Sequence, residues 1–262
     1  MARRATVIRE ERNKGQRILV LDAGASLLND RDPAKTTLGK SSIETMNLMG
    51  YDAMALGLLD ISPLGLSELR QRMAEAKFPM LSANAYISGT TELVTKPYIV
   101  IEMEDHRVGI LGLTEAGSTD EVMATDPIQA AREQIPELRR QADIIIVLSH
   151  AGPETDQQIA DQVPGIAVIV SGRNQQVKEA VVCPRAPSCY TQTPPARAMR
   201  ERTSGWRTFP STRQGICSSR IGVEWSSMAT GAMIHRSWNG CAIPLLPENP
   251  GVGHLGKPAP FF

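Results

Sequence analysis

The residues that could take part in chemistry lie in short turns, each of which follows an apolar run. The turn Ser149–His150 carries an imidazole, and the turn 171–173 ends in Arg173. An imidazole there can ligate a metal, act as a base, or pack at a strand end with a local hydrogen bond. A guanidinium can bind a phosphate bidentately, or lie in solvent on a loop. Two further turns, 23–25 and 57–59, contain only glycine, alanine and leucine, whose side chains hold no polar atom.

Other polar groups offer weaker signals. Asp22 precedes the first of these turns and could supply a carboxylate to it, or cap it. The polar loop Asn29–Asp32 could bind a cation, although such clusters are usually solvated turns. His106 lies in a stretch typical of a hairpin turn, so we expect it to be solvated. The four cysteines have no CxxC spacing, so neither zinc nor redox chemistry is indicated.

The elements that must position these turns alternate along residues 1–182. Short apolar runs predict strands at 17–22, 52–56, 78–82, 97–103, 108–113, 143–149, 166–170 and 177–182. Helical patterns cover 2–14, 41–49, 63–76, 127–141 and 154–162, with Ser62 and Asp126 as predicted caps and Gly50 as a helix stop. This alternation predicts an α/β domain with a mainly parallel sheet and functional turns at the carboxyl ends of its strands.

Four stretches carry a resemblance to a known family: LVLDAG (19–24), MNLMGYDAMALG (46–57), AEAKFPMLSAN (74–84) and the run from ADIIIVLSHAG to VIVSG (142–172). They resemble the N-terminal domain of the 5′-nucleotidase branch of the calcineurin-like metallophosphoesterases. The resemblance implies a sandwich of two β-sheets flanked by helices, incomplete at both ends in this chain. It also implies two divalent metal ions between the loops, which polarise a nucleotide phosphoester and generate a hydroxide nucleophile.

This chain departs from the family at most ligand positions. The aspartate of the family's GD motif falls on Ala25, and the Asn and His of GNHEFD fall on Leu58 and Leu59. The aspartate of GNHEFD falls on Ser62, and the first His of GHxH falls on Arg173. Methyl and isobutyl groups cannot donate electrons to a metal. The substituted positions therefore predict a site that has lost its metal chemistry.

Two positions keep a ligand of the family type. His150 matches the His of LSHxG, and Gln175 matches members that carry GHxQ. With its co-ligands replaced, His150 is expected to pack rather than to bind metal. We therefore expect a degenerate, inactive nucleotidase-like domain without a bound metal. Two alternatives stay open: a metal-dependent phosphoester hydrolase acting on nucleotides through another ligand set, and a module that binds a nucleotide or phosphate without turnover.

The composition changes after residue 182. Residues 1–182 contain 25 acidic and 19 basic residues, whereas 183–262 contain 3 acidic residues, 8 Arg and 1 Lys. All cysteines and tryptophans and 10 of the 18 prolines lie in 183–262. An Arg/Pro-rich interaction tail is one interpretation. A frameshifted reading explains the mixture better, because reading two bases later permits a plausible strand and an acidic helix start. We expect irregular chain from about Cys183, with a short strand near 221–225.

The whole-chain totals exclude some functions. Lys+Arg and Asp+Glu are both 28, which argues against a basic surface for nucleic acid. No apolar run approaches the roughly 20 residues that cross a bilayer, and the opening MARRATVIREERNKG lacks the apolar region of an export signal. As written, the chain is expected in the cytoplasm, whereas the resemblance implies a periplasmic or extracellular location. The family's opening DxH motif is absent, so we expect the first residues to lie inside the family domain.

Overall fold

The computed structural model of the chain describes residues 2–15, 17–29, 32–104 and 106–173, together with the backbone of four short strands between residues 181 and 236. The helices are α1 (Ala2–Asn13), α2 (Lys40–Met49), α3 (Leu58–Ile61), α4 (Gly65–Glu75), α5 (Pro127–Gln141) and α6 (Pro153–Gln162). The strands are β1 (Ile18–Asp22), β2 (Ala53–Ala55), β3 (Met80–Leu81), β4 (Ala85–Ile87), β5 (Tyr98–Met103), β6 (His106–Leu113), β7 (Gly117–Ser118), β8 (Val122–Ala124), β9 (Ile144–Ser149), β10 (Val168–Ser171), β11 (Val181–Val182), β12 (Cys189–Gln192), β13 (Ile221–Glu224) and β14 (Gly231–Arg236).

The first sheet has the strand order β13-β14-β1-β2-β3. Its members β1, β2 and β3 run parallel, while β14 runs antiparallel to β1. All five residues of β1 are buried, which explains its uninterrupted apolar run up to Asp22. The carboxyl ends of β1 and β2 consequently lie side by side at one edge of this sheet.

The second sheet has the strand order β11-β12-β10-β9-β6-β5. Strands β6, β9, β10 and β12 run parallel, and β5 joins β6 in the predicted hairpin, in which His106 is half-buried. A small antiparallel sheet, β4-β8-β7, was not predicted. Its strands have two or three residues each, too few for a periodic pattern to be visible.

The two large sheets pack face to face, and helices cover their outer sides. Leu21 and Ala55 of the first sheet share one apolar cluster with Ile110, Leu148 and Val170 of the second. The outer face of the first sheet packs against α1, α2, α3 and α4, and that of the second against α5 and α6. The molecule is therefore an α/β sandwich of two sheets flanked by helices, as the family resemblance implies.

The predicted helix 63–76 is wrong in its first turn. Residues 58–61 form α3 instead, and α4 begins at Gly65. The amino end of α4 is satisfied by Glu121, which accepts the N–H of Leu66 at 2.7 Å. A carboxylate 55 residues away thus replaces the local cap expected of Ser62. By contrast, Asp126 caps α5 as predicted, by accepting the N–H of Ile128.

After residue 182, the structure describes two strands that were not predicted, β12 and β14, and one that was, β13. Strand β12 extends the second sheet, β14 pairs with β1 over five residues, and β13 lies close to the predicted 221–225 strand. Pairing with β1 gives the backbone groups along that edge hydrogen-bond partners. The remaining residues of 183–262 lie outside the described part of the chain. Of the helices that are described, none has the length and apolar character needed to cross a membrane.

Candidate functional site

The turns that follow β1, β2, β9 and β10 meet at one end of the sandwich. A Cβ atom built on Gly24 would lie 3.0 Å from the ring of His150, and one built on Gly57 would lie 2.8 Å from it. A Cβ atom on Gly172 would lie 2.2 Å from the carbonyl oxygen of Ala23. The turns can approach so closely because these positions carry no side chain. The sequence-based expectation that strand-end turns share one site is met.

His150 lies at the centre of this site with 2% of its surface exposed. Its Nδ1 is 2.9 Å from Oε2 of Glu115, which follows the end of β6 and is also buried. The same oxygen accepts the N–H of Leu58 at 3.1 Å. Burial by itself would raise the pKa of the Glu115 carboxyl. The hydrogen bond and charge of His150, together with the hydrogen bond from the Leu58 N–H, outweigh this effect, so the pKa of Glu115 lies below its ordinary value.

Asp60 is the second carboxylate of the site, and it is fully buried. Its Oδ2 accepts the N–H groups of Ala25 at 2.6 Å and Gly57 at 3.0 Å, and its Oδ1 accepts that of Leu27 at 2.9 Å. Burial raises the pKa of Asp60, although these three donors and the nearby His150 oppose the shift. One side chain of α3 thereby connects the turn after β1 to the turn after β2.

Asp22 contacts the same first turn through other groups. Its oxygens accept the N–H of Gly24 at 3.0 Å and the hydroxyl of Ser26 at 2.9 Å, and the guanidinium of Arg4 lies 3.8 Å away. Arg4 also donates to the hydroxyl of Tyr51 at 2.7 Å. Asp22 caps the turn, one of the two roles its position allowed.

The substituted ligand positions lie around this site. Ala25 is half-buried, adopts a φ of 56° and directs its N–H to Asp60. Leu58 is half-buried, while Leu59 is 63% exposed. Arg173 is exposed beside Gly152, whose built Cβ atom would lie 4.0 Å from the Arg173 side chain. Ser62, the remaining substituted position, is also exposed. Gln175, the second position that keeps a family-type ligand, lies outside the described residues.

These residues do not fit a two-metal centre. Ala25, Leu58 and Leu59 present hydrocarbon at the positions that would need oxygen or nitrogen donors, and Arg173 presents a cation. The imidazole nitrogen Nδ1 of His150 is directed to Glu115. Across the described ranges, no group of three or more His, Cys, Asp and Glu side chains is arranged to hold a metal ion.

Neither Glu115 nor Asp60 was predicted from the sequence as a residue of the site. Glu115 comes two residues after the apolar run of β6, so the same search of strand ends that found His150 would have found it. Asp60 has no such signal, because it lies in the short helix α3, which was not predicted. Beside them, Thr114 donates its hydroxyl to the carbonyl of Leu56 at 2.7 Å and also bonds Ser82, which connects the ends of β6, β2 and β3.

No protein-family profile matches the chain. Individual proteins, however, are similar to it in sequence. A snake venom 5′-nucleotidase from Gloydius brevicauda is 34% identical over 66% of this chain and 31% of its own length. The protein UshA of Escherichia coli is 33% identical over 50% of this chain and 28% of its own length. The metallophosphoesterase YunD of Bacillus subtilis is 29% identical over 65% of this chain and 38% of its own length. The chain spans about a third of the length of these curated relatives.

Solved structures agree with these relatives. A 5′-nucleotidase precursor from Thermus thermophilus superposes with a TM-score of 0.64 at 26% identity, over 73% of this chain and 42% of its own. The sulfate thiohydrolase SoxB of Thermus thermophilus superposes at 0.65 and 19% identity, over 72% and 37%, and shows the likeness of fold alone. Over about two thirds of its length, this chain is therefore similar to 5′-nucleotidases and metallophosphoesterases, the proteins that its sequence motifs resemble.

Proposed function

We propose that this chain is a nucleotidase-like metallophosphoesterase domain that has lost catalytic activity. The observation that carries the proposal is the replacement of metal donors by hydrocarbon at Ala25, Leu58 and Leu59 within a site whose turns are otherwise assembled. A two-metal phosphoesterase needs cations to polarise the phosphoryl group and to form its nucleophile at neutral pH. Without donors for those cations, the shared fold does not carry the shared chemistry.

The remaining polar side chains support this proposal. The two carboxylates of the site, Asp60 and Glu115, accept hydrogen bonds from backbone N–H groups and from His150. In these contacts the two carboxylates serve as acceptors for groups of the protein itself. Within the described residues, neither belongs to a group of three or more His, Cys, Asp and Glu side chains arranged to hold a metal ion.

The backbone also argues against a phosphate cradle formed by the turns. The N–H groups of Gly24, Ala25, Gly57, Leu58 and Ala151 donate to protein side chains. Among the described groups of the site, the exposed guanidinium of Arg173 is then the one best suited to bind an anion. One surface guanidinium provides a weak site, so we favour loss of activity over conversion to a nucleotide-binding module.

Hydrolysis of AMP and of p-nitrophenyl phosphate tests the proposal directly. We expect the purified chain to show no turnover above buffer with Mn²⁺, Zn²⁺ or Mg²⁺, because the substituted positions supply no ligands. The matched control is the His150→Ala variant, which removes the remaining family-type imidazole of the described site. Metal-dependent turnover that disappears in this variant would overturn the proposal.

The same samples separate the two alternatives. Two bound metals per chain by elemental analysis, together with turnover, would identify a hydrolase with a different ligand set. A rise in Tm with AMP in the absence of metal, lost in Arg173→Ala, would identify a binding module. We expect neither result.

A further inference from the structure

Asp60 and Glu115 connect the turns that a metal pair would have to connect. Asp60 accepts backbone N–H groups from Ala25 and Leu27 in the turn after β1 and from Gly57 after β2. Glu115, after β6, accepts the N–H of Leu58 and contacts His150 at the end of β9. Turns from both sheets are thus joined through two side chains.

These contacts are well protected from solvent. Asp60 is 0% exposed, Glu115 6% and His150 2%. Hydrogen bonds to a buried carboxylate are charge-assisted and stronger than neutral ones. Removing the acceptor would leave several buried N–H groups without partners, which is more costly than losing an exposed bond.

In a metal site of this architecture, cation binding holds the ligand-bearing loops in place, and metal removal loosens them. In this chain, N–H groups and an imidazole supply the positive ends of the interactions in place of cations. The closed arrangement of the turns therefore requires no ion.

We infer that Asp60 and Glu115 act as cation-free anchors, which hold the turns at the carboxyl ends of β1, β2 and β9 in place without a divalent metal. This inference rests on the proposed loss of the metal site and extends it to the stability of the domain. It predicts that removing metal ions leaves the Tm unchanged, whereas removing either anchor side chain lowers the Tm.

The first test compares the Tm of the full chain in EDTA with its Tm after addition of Zn²⁺ or Mn²⁺. Because no ion closes the site, we expect the two values to agree within about 2 °C. A Tm that falls in EDTA, or that rises with added metal in the unmodified chain and not in His150→Ala, would overturn the inference.

The second test is Asp60→Asn. Both carboxylate oxygens of Asp60 accept backbone N–H groups. In asparagine one of these oxygens becomes an NH₂ group, which would face either the N–H of Leu27 or the N–H groups of Ala25 and Gly57 and could not accept them. We expect the Tm to fall by about 5–10 °C, and the amide protons of these residues to exchange at least about tenfold faster. The matched control, Asp126→Asn, changes an exposed helix cap at which asparagine serves as well as aspartate, and its Tm should be unchanged.

The third test is a double-mutant cycle of Glu115→Ala and His150→Ala. If the two side chains hold the turns together through their mutual contact, the decrease in Tm of the double variant should be smaller than the sum of the decreases of the two single variants. Losses that simply add, or an Asp60→Asn variant as stable as its control, would contradict the anchor role. Such results leave the turnover assay unaffected, so failure here is distinguishable from failure of the proposed function. Should Asp60→Asn not fold, the cycle and the EDTA comparison still decide the question.

Discussion

Asp22 shows how a single side chain of this domain responds to its surroundings. It ends β1 with none of its surface exposed and lies near Arg4, Tyr51 and Asp60. Burial raises its pKa to about 6, even though Arg4, Ser26 and the N–H of Gly24 favour the charged form. The folded chain therefore binds a proton here at a pH at which the unfolded chain has released it.

This shift predicts a pH dependence of stability. The folded pKa is above the unfolded one, so the stabilisation from Asp22 is complete below about pH 4 and is lost as the pH rises through about 6. Relative to Asp22→Asn, the unmodified chain should gain about 2 kcal/mol of unfolding free energy between pH 7 and pH 4. Urea unfolding across this range measures the difference.

Asp143→Asn is the control for this measurement. Asp143 is partly exposed, and the backbone N–H of Arg107 lowers its pKa, so its stabilisation is lost at low pH instead. Relative to Asp143→Asn, the unmodified chain should therefore gain no unfolding free energy between pH 7 and pH 4. Parallel pH profiles for the unmodified chain and Asp22→Asn would refute the role assigned to burial.

At the scale of elements, α1 is attached to the domain mainly through polar side chains. Its buried residues are Arg4, Ile8 and Glu11, so apolar burial contributes little along its length. Arg12 donates to the carbonyl oxygens of Met49 at 2.8 Å and Gly50 at 2.7 Å. These carbonyls end α2, where a guanidinium satisfies acceptors that the helix leaves unpaired.

Arg12→Ala should therefore loosen α1 against α2. Both bonds are charge-assisted but partly accessible to solvent, so we expect a loss of about 1 kcal/mol of unfolding free energy. Arg9→Ala provides the control, because Arg9 is exposed on the same helix and should change stability by less than about 0.5 kcal/mol. Equal losses for the two variants in urea unfolding would show that Arg12 has no special role.

At the scale of the whole molecule, the two sheets come into close backbone contact at a position where a side chain is missing. A Cβ atom on Gly112 of β6 would lie 2.4 Å from the carbonyl oxygen of Leu81 in β3. The backbone there also forms a bond between segments, from the N–H of Ala83 to the oxygen of Gly112 at 2.8 Å. The width of the sandwich at this end depends on that glycine.

Gly112→Ala should force the sheets apart, because its contact atom is backbone and cannot rotate away. We expect a loss of about 3 kcal/mol of unfolding free energy. Gly109→Ala, on the same strand, would meet the side chains of Leu138 and Ala142, of which Leu138 can repack, so its loss should be about 1 kcal/mol. If Gly112→Ala proves as stable as Gly109→Ala, the sheets are not in close contact at this point.

The sequence alone determined the order of most elements and the hydrocarbon side chains at the family's ligand positions. Apolar runs such as Ile18–Asp22 and Ile144–Ser149 identified buried strands, and Asp126 and Gly50 marked helix ends, because periodicity and capping act over a few residues. The hydrocarbon side chains of Leu58 and Leu59 likewise need no structure to be excluded as ligands.

Only the tertiary structure decided which polar groups meet among these positions. Asp60 lies 35 residues from Ala25, and Glu115 lies 57 residues from Leu58, so no local pattern associates them. They meet because β1 and β2 are parallel neighbours in one sheet and β6 and β9 are parallel neighbours in the sheet packed against it. The position of a carboxylate relative to an N–H group depends on strand order and sheet packing, which long-range contacts determine and local sequence does not.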